Sequence, residues 1–357
     1  MDNTRRAYRL TAGSRADLIA REECLTAPNT DEVQVVVKAI GLNFADVFSV
    51  WGLYGATPKG EFVPGLEFAG DIVAIGTDVT HHKLGERVYG VTRFGAYTTA
   101  LNIDARYAFP LPQNWSYAEG AAYPVQALTA YYGLHFLGNI QKGQRILVHS
   151  AAGGVGVWAG RIAKHFGATV VGTVGRQEKV AFAKTQGYDE VLVRGNLNTL
   201  KARMSEASVS SFSGSEKEAK KELTPGYNII MEPTGGQVLK DSFSLVLPEG
   251  RMIVYGSAHF ATNDAKPNKL KLIWKFLKRP KLDPQAMIAE NKGVLAFNLI
   301  WLYEQTDKMM QLLKDIEALN LGKPHIGKTF WFDELADAVA ELQSGKTVGK
   351  VVVLIEP

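Results

Sequence analysis

The sequence predicts an α/β protein with two domains, a β-rich domain first and then a doubly wound parallel sheet with helices on both faces. Three observations support this fold class. The chain of 357 residues is longer than one core usually fills, and its hydrophobic content of 46% is that of a globular protein. Short strands broken by glycine dominate residues 30–120, whereas strands and helices alternate from residue 145 onward.

Four apolar stretches predict the strands of the first domain. They are EVQVVVKAIGLN, FAGDIVAIG, GERVYGVT and GAYTTALNI, and glycine interrupts or bounds each of them. Short strands with this rhythm are typical of a compact β domain. The next segment, AEGAAYPVQALTAYYGLHFLG, has apolar residues at helical spacing and few charges, so it predicts a helix.

The second domain follows as strand and helix in turn. RILVHS, TVVGTVG, EVLVR, YNIIMEP and RMIVYGS predict strands, and helical segments such as GVWAGRIAKHFG lie between them. This alternation indicates parallel strands with crossover helices. The polar, serine-rich stretch 205–225 predicts a surface loop with a partial helix, and the tail KVVVLIEP predicts a closing buried strand.

Charge and cysteine content exclude several classes of protein. The net charge is +4, but acidic and basic residues are interspersed along most of the chain, which argues against nucleic-acid binding. The N-terminal residues are charged and no apolar signal core follows them, so we expect a cytoplasmic protein. No stretch approaches the ~18 consecutive apolar residues of a spanning helix. The single cysteine, Cys24, excludes an intrachain disulfide.

The clearest motif is the turn SAAGGVG, which follows a predicted buried strand and opens a predicted helix. Ala151, Gly153 and Gly156 have the spacing of the dinucleotide-binding fingerprint, with alanine in place of the first glycine. Small residues are needed because the turn is tight, the backbone approaches a pyrophosphate and the helix packs on the strand. The helix start, with Gly154 and Val155, supplies free N–H groups for the phosphates. We expect a dinucleotide here; a plain glycine turn is the alternative.

The residues after the second strand of this domain predict NADPH rather than NADH. NAD-selective sites carry Asp or Glu at this point, which binds the ribose hydroxyls. This chain has Val174 there, followed by Gly175 and Arg176, with Lys179 and Arg194 further on. These cations would pair with a 2′-phosphate. The alternative is that Arg176 and Lys179 merely solvate the start of a helix.

With the β domain first, the fingerprint near the middle and VGKVVVLI at the end, the chain resembles the medium-chain dehydrogenase/reductase superfamily. GLNFADVFSVWGLYG, VPGLEFAGDIVAIG, ALTAYYGL and AAGGVG resemble its zinc-independent quinone oxidoreductases. ENKGVLAFNLIWL and KPHIGKTFWFDELADAV are similar to the vesicle amine transport protein-like branch. The resemblance implies a GroES-like catalytic domain over residues 1–122 and 300–357, and a Rossmann NADPH-binding domain over residues 123–299.

The sequence departs from the zinc-binding members of this superfamily. Those enzymes bind catalytic zinc through a cysteine, the histidine of a Gly-His-Glu motif and a third Cys, Asp or Glu. Here Asn43 stands in the region of the cysteine and Leu66 replaces the histidine, and neither coordinates zinc as thiolate or imidazole does. We therefore expect no bound zinc, and we expect Asp46 and Glu67 to hold the local structure together. Without this Lewis acid, the resemblance implies NADPH-dependent reduction of a quinone or an α,β-unsaturated carbonyl.

The resemblance also implies which side chains surround the reacting groups. Asn43 and Tyr54 match polar positions of the active site, where Tyr54 would donate a hydrogen bond or proton to the carbonyl oxygen. A loop-stabilising asparagine and a packed tyrosine are the alternatives. Thr129 matches a threonine near the nicotinamide, or else bonds only its own helix. Further expected neighbours of the cofactor or substrate are Gly256, Ser257, Phe297, Asn298 and Lys350. For Lys350 a structural ion pair is an equally open interpretation.

The segment KPNKLKLIWKFLKRPK, residues 266–281, is rich in basic and apolar residues and contains no acid. Because basic amphipathic segments can lie on anionic membranes, peripheral membrane contact here is a second hypothesis. It leads to the alternative function, a membrane-associated binding or trafficking protein that keeps an NADPH site. The other interpretation of the segment is a lid or helix near the substrate cleft. We also expect a homodimer that pairs strands like GVLAFNL, as is common in this superfamily.

Overall fold

The computed structural model of the chain describes residues 4–211 and 224–356. The stretch 205–225 is therefore described only in part. Its first residues end a helix that runs to Ser210, and its middle, residues 212–223, lies outside the described residues.

Two β-sheets form the first half of the molecule. Their strands are β1 (Thr4–Thr11), β2 (Ile19–Cys24), β3 (Glu32–Gly41), β4 (Glu61–Phe62), β5 (Glu67–Ile75), β6 (Arg87–Val91), β7 (Ala100–Asp104), β8 (Ala108–Pro110) and, from the C-terminal end of the chain, β15 (Ile326–Trp331) and β16 (Lys350–Leu354). β1 pairs with β2 and β4, and the larger sheet has the order β15–β16–β3–β5–β6–β8, with β7 also paired to β3. The last strand of the chain thus returns to the first domain.

The second half is a parallel sheet of six strands. They are β9 (Arg145–His149), β10 (Thr169–Val174), β11 (Glu190–Val193), β12 (Tyr227–Glu232), β13 (Val246–Val254) and β14 (Gly293–Ala296), in the order β11–β10–β9–β12–β13–β14. All five pairings are parallel. The central strands are apolar runs because helices cover both of their faces. The order reverses between β9 and β12, which is the point where doubly wound sheets bind ligands.

The helices connect and cover these sheets. They are α1 (Phe44–Val50), α2 (Tyr117–Ala121), α3 (Pro124–Tyr131, continued by a π-helical turn at Tyr132–Leu137), α4 (Gly154–His165), α5 (Val180–Thr185), α6 (Leu197–Ser210), α7 (Gly236–Phe243), α8 (Lys269–Leu277), α9 (Pro284–Glu290), α10 (Thr306–Ala318) and α11 (Leu335–Gln343). None of the described helices is both long and apolar enough to cross a membrane.

One hydrophobic core continues from the first half into the second. Tyr89 on β6 contacts Tyr123, which lies edge-on to Trp158 of α4 with 5.3 Å between ring centroids. All three rings are buried. Close to this core, the N–H of Gly349, just before β16, donates to the carbonyl of Ala152 at 2.8 Å. The two halves are therefore joined both by packing and by backbone at the start of α4.

Candidate functional site

A cavity of about 1460 Å³ lies outside the carboxyl ends of the parallel strands, between this sheet and α1. The residue that follows each of the six strands lines it, namely Ser150, Gly175, Arg194, Pro233, Tyr255 and Phe297. Ligands bind at this edge in doubly wound sheets, because the loops and helix N-termini there converge. The cavity therefore lies where the fold places a binding site.

The glycine turn forms one wall of the cavity and fits a dinucleotide. Helix α4 begins at Gly154, and an added Cβ there would overlap the side chain of Gln126. A Cβ on Gly156 would collide with the carbonyl of Ser150. Ser150, just before the fingerprint position Ala151, has a left-handed backbone with φ of 58°. The residue type does not indicate this conformation, because serine adopts it only rarely.

The cavity brings together all the predicted site residues except Ala151, Arg176 and Lys350. Ala151 is fully buried, and its N–H donates to the carbonyl of Thr173 at 2.9 Å. Its role is thus to pack the turn on β10. The Arg176 side chain is 46% exposed, and its guanidinium lies 3.9 Å from the Glu178 carboxylate.

Two cationic side chains line the cavity near the end of β10. Arg194 lies beside Gly175 and directs one guanidinium nitrogen toward the Thr234 hydroxyl at 3.4 Å, and burial lowers its pKa. Lys179 is buried, and its ammonium donates to the carbonyls of Gly345 and Thr347 at 2.7 and 2.6 Å. Burial, then the nearby arginines, lower the pKa of Lys179. Lys179 thus holds the loop before β16, a contact that the sequence did not indicate.

A buried ion pair lies beneath the wall formed by α1. The ammonium of Lys350, 1% exposed, contacts the Glu67 carboxylate, 0% exposed, and donates to Asn43 Oδ1 at 2.8 Å. The amide of Asn43 donates to Glu67 Oε1 at 2.7 Å. Lys350 therefore makes the structural ion pair that was one of its two interpretations, and it does not reach the cavity. Glu67 pairs internally as predicted.

Asn43 still lines the cavity, but its polar atoms are engaged. Oδ1 accepts from Lys350, while Nδ2 donates to Glu67 and, at 3.4 Å, to the carbonyl of Gly41. This is the loop-stabilising arrangement, since neither amide hydrogen is left for a substrate oxygen. Asn43 is therefore placed as a positioning residue at the start of α1.

Asp46 completes the polar cluster. One carboxylate oxygen accepts from the N–H of Asn43 at 2.7 Å and from the hydroxyl of Tyr97 at 3.0 Å, which holds the first turn of α1 as predicted. The other oxygen is buried and has no hydrogen-bond partner among the described residues. Burial raises the pKa of Asp46 to about 7, against the opposing effects of these bonds and of Lys350.

Tyr54 reaches across the cavity from the first domain to the second. Its hydroxyl donates to Asn298 Oδ1 at 2.6 Å, and burial raises its pKa to about 12. The hydroxyl therefore stays protonated at neutral pH. Thr129 also lines the cavity, but its hydroxyl donates to the carbonyl of Val125 at 2.7 Å, which is the helix bond considered as the alternative.

A second buried polar group supports the turn after β12. Glu232 accepts from the N–H groups of Thr234 and Gly235, the latter at 2.7 Å, and burial raises its pKa to about 7. His149 lies nearby, between the hydroxyls of Thr173 and Ser242 at 2.8 Å each, and burial lowers its pKa to about 3. The sequence does not indicate this pair, because His149 and Glu232 each look like an ordinary polar residue at the end of an apolar strand.

The remaining wall is apolar and comes from α1 and α8. Phe44 and Phe48 of α1 contribute to it together with Leu272, Ile273 and Phe276 of α8. The segment 266–281 thus supplies a helix beside the cleft, in line with the second interpretation of that segment. The other side of α8 presents Leu270, Trp274 and Leu277 to solvent.

The described residues contain no group of three His, Cys, Asp or Glu side chains that could hold a metal ion. At the position that corresponds to a zinc ligand, Leu66 lines the cavity with an apolar side chain.

Two protein families match this chain. The zinc-binding dehydrogenase family matches residues 154–277, and the alcohol dehydrogenase GroES-like domain matches residues 29–113. Among relatives, the synaptic vesicle membrane protein VAT-1 homolog of Homo sapiens is 30% identical over 96% of this chain and 84% of that protein. The homolog of Danio rerio is also 30% identical, and the match covers 93% of this chain and 66% of that protein. Quinone oxidoreductase-like protein 2 of Mus musculus is 29% identical over 91% of this chain and 85% of that protein.

Solved structures agree with these matches. Escherichia coli quinone oxidoreductase complexed with NADPH superposes with a TM-score of 0.81 at 25% identity, and the match covers 98% of this chain and 99% of that one. The human VAT-1 homolog-like protein has a TM-score of 0.80 at 23% identity over 99% of both chains, and shows the fold. The predicted fold class and resemblance are confirmed: the chain belongs to the medium-chain dehydrogenase/reductase family, with a GroES-like domain, a Rossmann-like domain and relatives among the VAT-1 and quinone oxidoreductase-like proteins.

Proposed function

We propose that the protein is an NADPH-dependent oxidoreductase that reduces quinones or α,β-unsaturated carbonyls without zinc. The observation that carries this proposal is that one cavity contains the glycine turn of α4, the Tyr54 hydroxyl and an apolar wall. A cofactor, a hydrogen-bond donor and an electron-poor acceptor could therefore meet in one place. The quinone oxidoreductase-like relatives support the same reaction class.

NADPH is proposed over NADH because the described residues that line the cavity near the end of β10 include cations and no acid. Gly153, Gly154 and Gly156 would hold the pyrophosphate against the N-terminus of α4. Arg194 lines the cavity beside Gly175, where a 2′-phosphate would lie, and Arg176 is close by in the sequence. The Escherichia coli relative whose structure contains NADPH supports this choice.

The proposed chemistry needs a hydrogen-bond donor at the acceptor oxygen, and one proton, supplied by Tyr54 or by solvent, to complete the reduction that the hydride begins. When bound, the nicotinamide supplies a hydride to the acceptor. Tyr54 then donates a hydrogen bond to the acceptor oxygen as negative charge develops on it, and its pKa of about 12 keeps the donor protonated. The hydroxyl must turn away from Asn298 to do so, which exchanges one hydrogen bond for another. Asn43 and Lys350 act below it by fixing the start of α1.

The zinc-free proposal rests on what occupies the metal-binding region. Glu67, the acid that remains of the zinc motif, is paired with the Lys350 ammonium, and Leu66 stands where the histidine ligand would be. A cation already neutralises this carboxylate, so a metal would have to displace it. Elemental analysis of the purified protein should find no stoichiometric zinc, and one tightly held zinc per chain would overturn this part of the proposal.

Cofactor choice is tested by fluorescence titration with NADPH and NADH. We expect at least tenfold tighter binding of NADPH, because Arg194 and Arg176 gain charge-assisted bonds to the 2′-phosphate. Arg194→Ala and Arg176→Ala should each reduce the preference. Lys184→Ala is the matched control, since Lys184 is an exposed cation in the last turn of α5 and does not line the cavity. Equal affinities in the wild-type protein would refute the assignment.

The reaction itself is tested with a panel of acceptors followed at the nicotinamide absorbance band. We expect NADPH oxidation with 1,2-naphthoquinone-type quinones or with enones, and little turnover of saturated ketones or alcohols. Activity confined to simple alcohols would contradict the proposal.

A second candidate function is membrane-associated binding or trafficking by a protein that keeps an NADPH site. Leu270, Trp274 and Leu277 of α8 are exposed among the basic residues of 266–281, which is an arrangement that anionic lipid surfaces attract. The VAT-1 relatives are named as synaptic vesicle membrane proteins. Flotation with liposomes, with and without anionic lipid, tests this candidate. If no acceptor in the panel supports NADPH oxidation and the protein floats only with anionic liposomes, this function is favoured over the reductase.

We also keep two expectations as proposals. The first is a cytoplasmic location, which subcellular fractionation tests. The second is the division of the chain into a catalytic domain at 1–122 and 300–357 and a cofactor domain at 123–299. Limited proteolysis with and without NADPH tests these boundaries, since cofactor should protect the second region first.

A further inference from the structure

Beyond the residues proposed to hold the cofactor, the cavity has an uncharged end. Its volume of about 1460 Å³ must accommodate both the dinucleotide and the acceptor. Lys179 and Arg194 are the only Lys, Arg, Asp or Glu side chains among the described residues that line it. Both of them lie on the cofactor side, after β10 and β11. The other end of the cavity therefore has no charge to offer a ligand.

The apolar end is formed by side chains that the core does not need. Ile273 and Phe276 line the cavity, yet they are 56% and 52% exposed, so about half of each residue's surface is open to solvent. With Leu272 they lie on neighbouring positions of α8, at the spacing that shares a helix face. The basic residue between them, Lys275, donates to the carbonyl of His259 at 2.5 Å and is not part of the lining.

Phe44 and Phe48 of α1 complete the apolar end of the cavity. Their rings lie edge to face with centroids 5.6 Å apart, and both line the cavity as α8 does. Tyr54, which follows α1 in the sequence, lines the same cavity. A ligand with its oxygen at Tyr54 could thus extend along α1 and α8.

We propose that the acceptor is a quinone or enone with a long alkyl or prenyl tail, and that this tail lies along the apolar wall formed by α1 and α8. The inference rests on the proposed function and names its substrate class. Each methylene that moves from water onto this wall gains binding free energy, and the partly exposed side chains of α8 become covered. A short acceptor would leave the wall exposed to water.

The experiment measures NADPH oxidation with 3-alken-2-ones of increasing chain length, all used below the concentrations at which they form micelles. We expect kcat/KM to rise about two- to fourfold per methylene over the first several carbons and then to level off. The rise should appear mainly as a lower KM, because the chain is bound equally in the ground and transition states.

Two variants of one helix separate the wall from a general preference for apolar compounds. Phe276→Ser should flatten the dependence on chain length, and it should lower the ratio of long-chain to short-chain kcat/KM about tenfold or more. Leu277→Ser is the control, because Leu277 is 69% exposed and does not line the cavity. It should keep the wild-type dependence.

The outcomes distinguish this inference from the function on which it rests. Turnover of short acceptors with no dependence on chain length would overturn the inference and leave the reductase proposal standing. An equal loss of the dependence in Phe276→Ser and Leu277→Ser would also overturn it. No NADPH oxidation with any acceptor would overturn the proposed function itself.

Discussion

Removal of the Lys350 ammonium should destabilise the protein strongly. Its side chain is 1% exposed and faces the fully buried Glu67, with Asp46 close behind. Lys350→Met keeps the approximate volume and apolar stem of the side chain but leaves two buried carboxyl groups without a cation. Loss of one partner from a buried pair typically costs about 3–5 kcal/mol, because the remaining charge is neither paired nor hydrated.

The upper part of this range is expected here because the site cannot relax. An added Cβ on Gly41 would overlap both the carbonyl of Ala121 and the side chain of Glu67, so the surroundings are tightly packed. The cost should also depend on pH. Burial raises the pKa of Asp46 to about 7 while the Lys350 ammonium opposes this rise, so acid removes the Asp46 charge, and the loss caused by Lys350→Met should shrink toward pH 5 and grow toward pH 8.

Urea unfolding followed by tryptophan fluorescence measures this free energy at each pH. Lys346→Met is the matched control, because Lys346 is exposed in the loop just before β16 and its replacement should change stability by less than ~0.5 kcal/mol. The double variant Lys350→Met with Glu67→Gln should recover much of the loss, since glutamine leaves no charge behind. A loss below ~1 kcal/mol for Lys350→Met that is the same at pH 5 and pH 8 would refute this reasoning.

Three further predictions concern Asp46, Tyr54 and the edge strand β14. Burial raises the pKa of Asp46 to about 7, above its value near 4 in the unfolded chain. The contribution of Asp46 to stability therefore falls as the pH rises from about 4 to 7. In urea unfolding, Asp46→Asn should flatten this fall and be more stable than the wild type at pH 8 by about 2–4 kcal/mol. Tyr54→Phe should lower kcat at least tenfold and leave the NADPH affinity within twofold, as measured by steady-state kinetics and titration; the reverse pattern would make Tyr54 a cofactor ligand. β14 is one of the two outer strands of the parallel sheet, and we expect a homodimer paired through it; light scattering that finds only monomer at micromolar concentration would contradict this.

Sequence patterns were sufficient for the parts of the fold that depend on local order. The alternation of apolar strands and helices after residue 145 predicted the parallel sheet, and the spacing of Gly153 and Gly156 predicted the turn at the start of α4. Each signal comes from residues that are close together in the sequence, and each has one dominant physical cause. The cavity then gathers most of the predicted residues because all six strands end at the same edge.

The polar contacts of the site could not be predicted in this way. Lys350 is 307 positions from Asn43 and 283 from Glu67, and only the return of β16 to β3 brings them together. Likewise, Lys179 suited a phosphate by its place in the sequence, but two carbonyls of a distant loop hold its ammonium. A lysine that is well placed for a ligand by its sequence position can instead form hydrogen bonds within the protein. Such long-range contacts leave no local pattern in the sequence.

The loop before β16 limits which residues can be changed to alter the cofactor preference of this protein. Lys179 grips this loop at Gly345 and Thr347, and Gly349 ties it to the turn at Ala152. The next residue is Lys350, whose ammonium donates a hydrogen bond to Asn43 at the start of α1. The region after β10, which would be changed to exchange NADPH for NADH, is thus connected through the six residues 345–350 to the hydrogen bonds that hold the start of α1. Substitutions at Arg194 offer a route to altered cofactor preference that leaves this coupling intact.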